Sequence, residues 1–260
     1  MPPATAALPA AEAVGRPASR VASRRTRERI LDAATREFAE RGLDAGRMDE
    51  IAQRAGIAKN AVYYYFGSKD EMFSAVLERT YQAFREHQHD LQVRALDPVE
   101  GMRRLVIFTG RTWARFPHFQ RLLHSENLHG GRHVAALESI PRLYDPLLDT
   151  LKELLARGHA AGVFRADVDP VDLYISISSL SAHYLAHRHT LTAIFGKQSL
   201  SPARLQQRLD HAAEMVLAYL RAAPPTRRTP ARKEAGRRAA RRVDITSAPA
   251  RPKAARKRAP

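Results

Sequence analysis

Cysteine is absent from this sequence of 260 residues, and its absence removes several kinds of chemistry. Without thiols the chain can form no disulfide, thiolate metal site or redox pair.

Long hydrophobic runs are missing too. The longest mostly apolar stretch, 171–186, contains Asp172, four serines and His183, so it is too short and too polar to span a membrane. The first twenty residues lack a basic segment followed by an apolar core, so they do not read as a secretion signal. We therefore expect a soluble cytoplasmic protein.

Recognisable catalytic patterns are scarce as well. The sequence has no Ser-His-Asp pattern, glycine-rich phosphate loop or paired-carboxylate motif, so it predicts that the protein is not an enzyme. His183 and His187 are four apart on a predicted helix and could share a metal ion. No cysteine or HExxH-type glutamate completes such a site, so we expect no metal and no cofactor.

Positive charge is abundant but unevenly placed. The formal net charge is +16, yet residues 223–260 hold 13 lysines and arginines against two acids, Glu234 and Asp244. This stretch is rich in Ala, Pro and Arg without apolar periodicity, so it predicts a disordered basic tail. Residues 1–23 are expected to form a disordered arm. The tail could bind phosphates without sequence preference, or it could be only solvated, and both interpretations stay open.

Between these tails helical periodicity predominates, and no alternating strand pattern of useful length occurs. The sequence therefore predicts an all-α fold. An apolar stripe marks the first helix and is formed by Ile30, Leu31, Ala34 and Phe38. Gly42 is placed to end that helix, and short helices are expected at 48–55 and 58–66. Ser68 and Glu71 have the spacing of a capping box, which predicts a fourth helix from about residue 69 to about residue 92. Later helices are expected to begin near Asp97, His118, Pro141, Asp169 and Ser201, and the one after Asp169 to reach about residue 189.

The second and third helices satisfy the steric rules of a helix-turn-helix. Ala52 is small where the helices cross, and Gly56 permits a positive φ at the turn. The apolar contacts that fix the crossing angle are assigned to Ile51, Ala55, Ile57 and Val62. Residues 63–66 are four consecutive aromatics that span about 300° of a helix, so they cannot share one buried face. Some of these rings must point away from the core.

Residues 24–73, and above all DEIAQRAGIAKNAVYYYFGSKDEMF, resemble the DNA-binding domain of TetR-family transcriptional regulators. The helical layout of the residues that follow is similar to that family's ligand-binding and dimerisation domain. Two later segments, RLLHSENLHGGRH and DLYISISSLSAHYLAHRHTLTAIFG, resemble the branch that includes repressors of aromatic-acid and nicotinate catabolism. The resemblance implies a DNA-binding helix-turn-helix domain at 24–70 and an effector-binding and dimerisation domain at 71–222.

The resemblance also implies which residues contact DNA. The third helix would enter the major groove and present Lys59, Asn60 and Ala61 to base edges. Phosphate or groove-wall contacts would come from Tyr63, Tyr64, Tyr65, Lys69 and Arg47. Arg47 is included because Met48 stands where family members often have a phosphate-binding threonine. Val62 and Phe66 would belong to the core.

Two further sets of residues follow from the same resemblance. Apolar stripes on the last two long helices would form a four-helix dimer interface through Leu173, Ile177, Leu180, Tyr184, Leu205, Leu209, Met215 and Leu220. The alternative is that these stripes form an internal core hairpin. An effector pocket would use polar and aromatic residues of the middle helices: Arg111, Trp113, His118, Glu126, Asn127, Arg132, His133, His183 and His187. Each of these, taken singly, is more readily explained as a surface or structural group.

The sequence therefore predicts a repressor that binds a palindromic operator as a homodimer. A small effector, an aromatic or carboxylated metabolite, would release it from DNA, and the protein would be associated with the nucleoid. An alternative is a nucleoid-type architectural protein that binds DNA through its basic tail. A third hypothesis is a helical enzyme or carrier that merely retains the N-terminal domain.

Overall fold

A computed structural model describes residues 17–88, 91–196 and 201–221, with side chains from residue 21 onward. Within these ranges the chain forms twelve helices and no strand, which confirms the predicted all-α class. The helices are α1 (Pro17–Ala45), α2 (Met48–Ala55), α3 (Lys59–Phe66), α4 (Lys69–Gln88), α5 (Pro98–Arg115), α6 (Pro117–Leu128), α7 (Arg132–Ala135), α8 (Ser139–Arg142), α9 (Asp145–Ala160), α10 (Pro170–Ala186), α11 (Arg188–Phe195) and α12 (Pro202–Arg221).

Local capping explains where several helices begin and end. The backbone N–H of Ser68 donates to Glu71 Oε2 at 2.7 Å, and Glu71 N–H donates to Ser68 Oγ at 3.1 Å, which confirms the capping box before α4. The carboxylates of Asp97 and Asp169 each accept two backbone N–H bonds at the starts of α5 and α10. At Gly42 the backbone turns to a φ of 75°, so helical geometry breaks at the predicted residue.

Several predicted boundaries need correction. The backbone is helical from Pro17, so residues 17–23 belong to α1, and the rest of the predicted arm lies outside the described residues. The region predicted as one helix from Pro141 holds α8 and α9, because two prolines five residues apart interrupt a continuous ladder of backbone hydrogen bonds. The helix predicted to reach residue 189 ends at Ala186 and is followed by α11. The basic tail, 223–260, lies outside the described residues.

Three clusters of buried side chains hold the helices together. The first joins α1, α2, α3 and the start of α4, where Phe38 and Phe73 meet edge to face at 5.3 Å. The second joins α5, α9, α10 and α12 around Leu151, Ile177 and Leu217. The third is mainly aromatic and joins α4, α5 and α6 to one residue each of α8 and α10. Its buried members are Tyr81, Phe84, Trp113, Phe119, Ile140 and Leu185.

The predicted dimer residues divide between the core and the surface. Leu173, Ile177, Leu209 and Leu220 are buried within the chain itself, so these four are core residues, as in the internal-hairpin alternative. Leu180, Tyr184 and Leu205 are half-buried, and Met215 is 46% exposed. On both α10 and α12, the apolar face predicted from helical periodicity packs mainly against the rest of the same chain. The large apolar side chains that α10 and α12 expose are the predicted Met215 and, in addition, Val171, Ile175 and Tyr219.

Candidate functional site

The turn between α2 and α3 has helix-turn-helix geometry. Gly56 has a φ of 64°, and its N–H donates to the Gln53 carbonyl oxygen at 3.1 Å. The N–H of Ile57 donates to the Ala52 carbonyl oxygen, also at 3.1 Å. A side chain at residue 56 would strain this left-handed turn, so glycine is the natural choice there. The buried Val62 of α3 packs in the same cluster as α2 and fixes the crossing of the two helices.

The four aromatic rings of α3 divide between the core and the surface. Phe66 is buried, with the guanidinium of Arg27 5.0 Å from its ring centre. Tyr63 is 40% exposed and Tyr64 is 87% exposed. Tyr65 is half-buried and meets the Tyr64 ring edge to face at 5.6 Å. This arrangement presents two phenol groups to solvent from a rigidly packed helix.

The charged residue at the start of α3 has a partner within the chain. Lys59 Nζ lies 2.8 Å from Asp49 Oδ1 on α2, and both side chains are about half exposed. The hydrogen bond that Lys59 donates to Asp49 raises the pKa of Lys59 and lowers the pKa of Asp49. Asn60 is exposed and Ala61 is half-buried beside it. The leading end of α3 thus carries an exposed amide and a cation that is already paired.

The start of α2 is held by a buried acid that the sequence analysis did not single out. Glu37 of α1 is fully buried, and its Oε1 accepts the backbone N–H of Arg47 at 3.1 Å. Its carboxylate also pairs with Arg41 at 3.2 Å and Arg54 at 3.4 Å. The Arg47 side chain is exposed and lies 3.6 Å from Glu50. An acid seven residues after Ile30, on the apolar stripe of α1, is the signal that could have revealed it.

Lys69, predicted to reach a phosphate, has a structural role within the chain. Its Nζ donates to the carbonyl oxygen of Asp44 at 2.9 Å, so it ties the start of α4 to the end of α1. A cation near the C-terminal end of a helix is also favoured by the helix dipole. The predicted phosphate contact would therefore require Lys69 to leave or share this carbonyl.

A group of polar residues, which we name the polar junction, connects α4 to α6 and α7. It consists of Asp70, Glu126, Arg132 and His133. Glu126 is buried and accepts the backbone N–H of His133 at 2.8 Å, and its other oxygen lies 2.6 Å from His133 Nδ1. His133 Nε2 and Arg132 Nη2 reach Asp70 Oδ1 at 3.0 and 2.6 Å. The hydrogen bond from His133 and the charge of Arg132 lower the pKa of Asp70.

The residues predicted for an effector pocket do not surround one space. Trp113 belongs to the aromatic cluster and donates to Ser178 Oγ at 2.9 Å, while Arg111 donates to Gln206 at 2.7 Å on the surface. Glu126, Arg132 and His133 form the polar junction. The rest are exposed: His118, Asn127, His183 and His187. The prediction is corrected because residues of similar polarity lie on faces of different helices that point in different directions.

The structure places a cavity of about 540 Å³ elsewhere, where α4 ends. We name it the α4 cavity. Its apolar wall includes Leu91, Val93, Leu96, Leu143 and Leu147. Arg85 and Gln88, two buried residues of α4, also line it, and the exposed Arg94 and Arg104 lie at its rim. A second space of about 770 Å³ lies between α10 and α12, beside the exposed Met215 and Tyr219.

Comparison with known families defines the class of protein. A model described as bacterial regulatory proteins of the tetR family matches residues 30–76, and one described as a tetracyclin repressor-like C-terminal domain matches residues 98–216. The chain belongs to the TetR family of DNA-binding transcriptional regulators. Regulators of this family bind operator DNA and small-molecule effectors, usually as dimers. The comparisons give no support to a nucleoid-type architectural protein.

Among its relatives is the HTH-type transcriptional repressor NicS of Pseudomonas putida, 36% identical over 169 residues that cover 65% of this chain and 80% of NicS. The HTH-type transcriptional regulator RutR of Escherichia coli is 27% identical over 205 residues, 74% of this chain and 89% of RutR. The solved structure of SCO4942 from Streptomyces coelicolor has a TM-score of 0.56 and 26% identity, covering 73% of this chain and 97% of that one. KstR2 of Mycobacterium tuberculosis, at 22% identity and a TM-score of 0.53 over 75% and 95% of the two chains, supports the fold alone.

The described residues hold neither a helix suited to a membrane nor a cluster suited to a metal ion. No helix in the ranges 17–88, 91–196 and 201–221 is both long and apolar enough to cross a membrane. The same ranges contain no group of three or more His, Cys, Asp or Glu residues arranged to hold a metal ion. His183 and His187 stack with ring centres 4.3 Å apart, and His187 Nδ1 lies 3.0 Å from the His183 carbonyl oxygen.

Proposed function

We propose that this protein is a ligand-responsive transcriptional repressor that binds a palindromic operator as a homodimer. The observation that carries the proposal is the exposure of Tyr63 and Tyr64 on the second helix of a helix-turn-helix, in a chain of the TetR family. The repressor NicS, which resembles this chain over most of its own length, supports the sign of control. Action on chromosomal DNA would place the protein in the cytoplasm.

In this proposal α3 lies in the major groove. Its exposed Asn60 is suited to a bidentate contact with adenine, worth about 1–3 kcal/mol of discrimination, and Ala61 lies beside it. The hydroxyls of Tyr63 and Tyr64 would donate to phosphates, and the half-buried Tyr65 would support the Tyr64 ring. These contacts set the position of α3 without adding net charge.

The cations around α3 would contribute after an exchange of partners. Lys59 can leave Asp49 for a base or phosphate, because an exposed ion pair is worth at most about 1 kcal/mol. Arg47 can do the same, since its contact with Glu50 is longer and its side chain is 60% exposed. Lys69 is the least available of the three, because it bonds the end of α1. Arg47 is thus a better phosphate candidate than Lys69.

Dimerisation is proposed through the outer faces of α10 and α12. These faces expose Val171, Ile175, Met215 and Tyr219, and a two-fold axis would bring the same patch of each protomer together. Such symmetry is required for two copies of α3 to read two halves of a palindrome. The effector domain, proposed to span 71–222, would carry this interface, and residues 24–70 would carry the DNA contacts.

Release from DNA is proposed to follow effector binding in the larger domain. An effector can shift the protein between conformers only by its difference in affinity for them. The α4 cavity is a suitable place, since it lies at one end of the helix whose other end holds the polar junction.

Selection of bound DNA from a random pool, with the full-length protein, tests the proposal. The expected result is one inverted repeat whose two halves are separated by about one helical turn or a multiple of it. Recovery of no inverted repeat, or of unrelated sequences, would contradict the proposal. The matched comparison is a protein shortened after residue 222, which should select the same repeat with weaker affinity and a shallower dependence on salt.

A further inference from the structure

We infer that the α4 cavity binds a small organic monocarboxylate, with Arg85 as the partner of the carboxylate and Gln88 as a second donor. The inference rests on the proposed function only in naming this ligand as the effector. The binding site itself is argued from the buried groups around the cavity.

Arg85 is a buried cation surrounded by rings. Only 3% of the residue is exposed, and its guanidinium carbon lies 3.6 Å from the centre of the Tyr144 ring. Nη2 donates to the Tyr174 hydroxyl at 2.8 Å, and Nη1 donates to Gln88 Oε1. Among the described residues, no Asp or Glu forms an ion pair with Arg85. Burial of a charge without an opposite charge is costly, so the site favours an anion from outside the chain.

The unused hydrogen-bonding groups of this site are donors. Arg85 Nε and Gln88 Nε2 are both buried and have no hydrogen-bond partner within the described residues. Both side chains line the cavity. A guanidinium presents its N–H groups in a planar fork that matches the two oxygens of a carboxylate. The Gln88 amide supplies a further N–H beside that fork, so the ligand must bring acceptors.

The remainder of the cavity indicates the body of the ligand. About half of the described lining residues are apolar, the others are polar or basic, and none is acidic. Arg104 at the rim adds positive charge along the way in, whereas Arg94, also at the rim, is paired with Glu153 at 3.3 Å. The volume of about 540 Å³ lies within the usual range for small-molecule sites. The chemical class is therefore a monocarboxylate with a hydrophobic body, aromatic or aliphatic.

Thermal-shift and calorimetric titrations of the full-length protein test this site without DNA. The probes are benzoate, phenylacetate and hexanoate, each paired with its primary amide, and acetate as a carboxylate without a body. At least one of the three carboxylates is expected to bind about ten- to a hundred-fold more tightly than its amide and than acetate. Equal binding of acids and amides, or binding of none of the three acids, would overturn the inference.

Substitutions then test whether Arg85 causes the preference for the acid over its amide. Arg85→Met should fold, because it removes a buried charge that has no acid partner, and it should lose the preference for acid over amide. Gln88→Leu should weaken acid binding while leaving a preference for the acid. The matched control is Arg111→Met, which removes an exposed arginine of α5 that does not line this cavity. Retention of the preference in Arg85→Met, or its loss in Arg111→Met, would refute the assignment.

Two further experiments test whether Asp90 is the partner of Arg85 and whether the ligand is the effector. Asp90 lies outside the described residues, five positions after Arg85 in the sequence, so its carboxylate is tested as an alternative partner for Arg85. Asp90→Asn should keep the preference for the acid, and loss of the preference would contradict the inference. The acid that binds should also reduce affinity for the selected operator in the wild type but not in Arg85→Met. If no operator is found, the proposed function fails, while the titrations still decide whether the site exists.

Discussion

The exposed face of α3 and the α4 cavity handle positive charge in opposite ways. On α3 the cation Lys59 is exposed and already paired with Asp49, and the surface beside it is formed by neutral tyrosines. In the cavity the cation Arg85 is buried and has aromatic and amide neighbours but no acid partner among the described residues. Exposed charge is screened by water, so it can exchange partners at little cost, whereas buried charge cannot.

This difference indicates how each surface would select its partner. DNA has a dense and uniform array of phosphates, so position along it must come from oriented hydroxyl and amide groups rather than from charge. A small ligand brings one charge, and a buried guanidinium can distinguish that charge from a neutral analogue. The two surfaces are linked by α4, which carries Arg85 near one end and Asp70 of the polar junction near the other.

The largest expected effect comes from removal of the tyrosines that distinguish the α3 face. The double change Tyr63→Ala/Tyr64→Ala removes four hydroxyl contacts from a dimer, at about 1 kcal/mol each, so operator affinity should fall about a thousand-fold. Fluorescence anisotropy with the selected operator measures this loss. Because both rings are exposed, the melting temperature should stay unchanged.

The control for that experiment retains the rings. Tyr63→Phe/Tyr64→Phe should lose most of the same affinity if the hydroxyls make the contacts. Near-normal binding by the phenylalanine protein would instead assign the effect to ring packing against the groove. Unchanged binding by the alanine protein would remove α3 from the interface altogether.

The next largest effect is expected at the polar junction, which connects the start of α4 to α6 and α7. Glu126→Gln keeps one oxygen for the backbone N–H groups of His133 and Val134, which both donate to Oε1, but it places an amide donor where the buried Oε2 meets His133 Nδ1 at 2.6 Å, and it removes the buried negative charge. The free energy of unfolding should fall by about 2–3 kcal/mol, measured by urea denaturation. Glu138→Gln, an exposed glutamate, is the matched control and should change it by less than about 0.5 kcal/mol. A similar small change for Glu126→Gln would contradict the bonding described above.

A smaller effect is expected when Lys59 of α3 loses its partner within the chain. Asp49→Asn removes the internal partner of Lys59 and an acid that would face DNA. Operator affinity should rise about three- to ten-fold, and its dependence on salt should become steeper because Lys59 is then available to a phosphate. Titrations at several salt concentrations measure both quantities. A fall in affinity would show instead that Asp49 positions Lys59 for its contact.

The smallest effect is a pH dependence of stability that depends on His129, which lies beside the polar junction. The Ser125 carbonyl at 2.8 Å and the Asp44 carboxylate at 3.0 Å raise the pKa of His129 above 6.5, with Arg132 acting against them. A raised pKa in the folded state stabilises the protein fully below 6.5, and this contribution is lost as the pH rises through the folded value. His129→Gln should therefore lower the melting temperature at about pH 6 and have less effect near pH 8.5. An equal effect at both pH values would exclude protonation as the cause.

Much of the fold followed from the sequence because its signals are local. The capping box of Ser68 and Glu71 joins residues three apart, and the turn at Gly56 depends on a backbone that glycine adopts most easily. The division of the aromatic row on α3 follows from the 100° step between helical residues, with Phe66 buried and Tyr64 exposed. Helix starts at Asp97 and Asp169 were predicted for the same reason.

The candidate sites were harder because their partners are distant in sequence. Arg85 meets Tyr174 across 89 positions, and Asp70 meets His133 across 63. Arg111 and Arg85 are both arginines on helical segments, and their residue types alone do not tell which is buried beside a cavity. Four of the predicted dimer residues, Ile177 among them, are buried within the chain itself, because periodicity identifies an apolar face but not the surface that covers it.

The sequence by itself determined the all-α class, the capping box before α4, the starts of α5 and α10, the helix-turn-helix and the exposure of Tyr63 and Tyr64, since short-range geometry and helical periodicity specify these features. Only the tertiary structure decided that Glu37 holds the start of α2, that Lys69 bonds Asp44, and that Arg85 is buried without an acid partner among the described residues. The physical reason is that the partner of a buried charge is set by which helices pack together, and that packing depends on the whole chain.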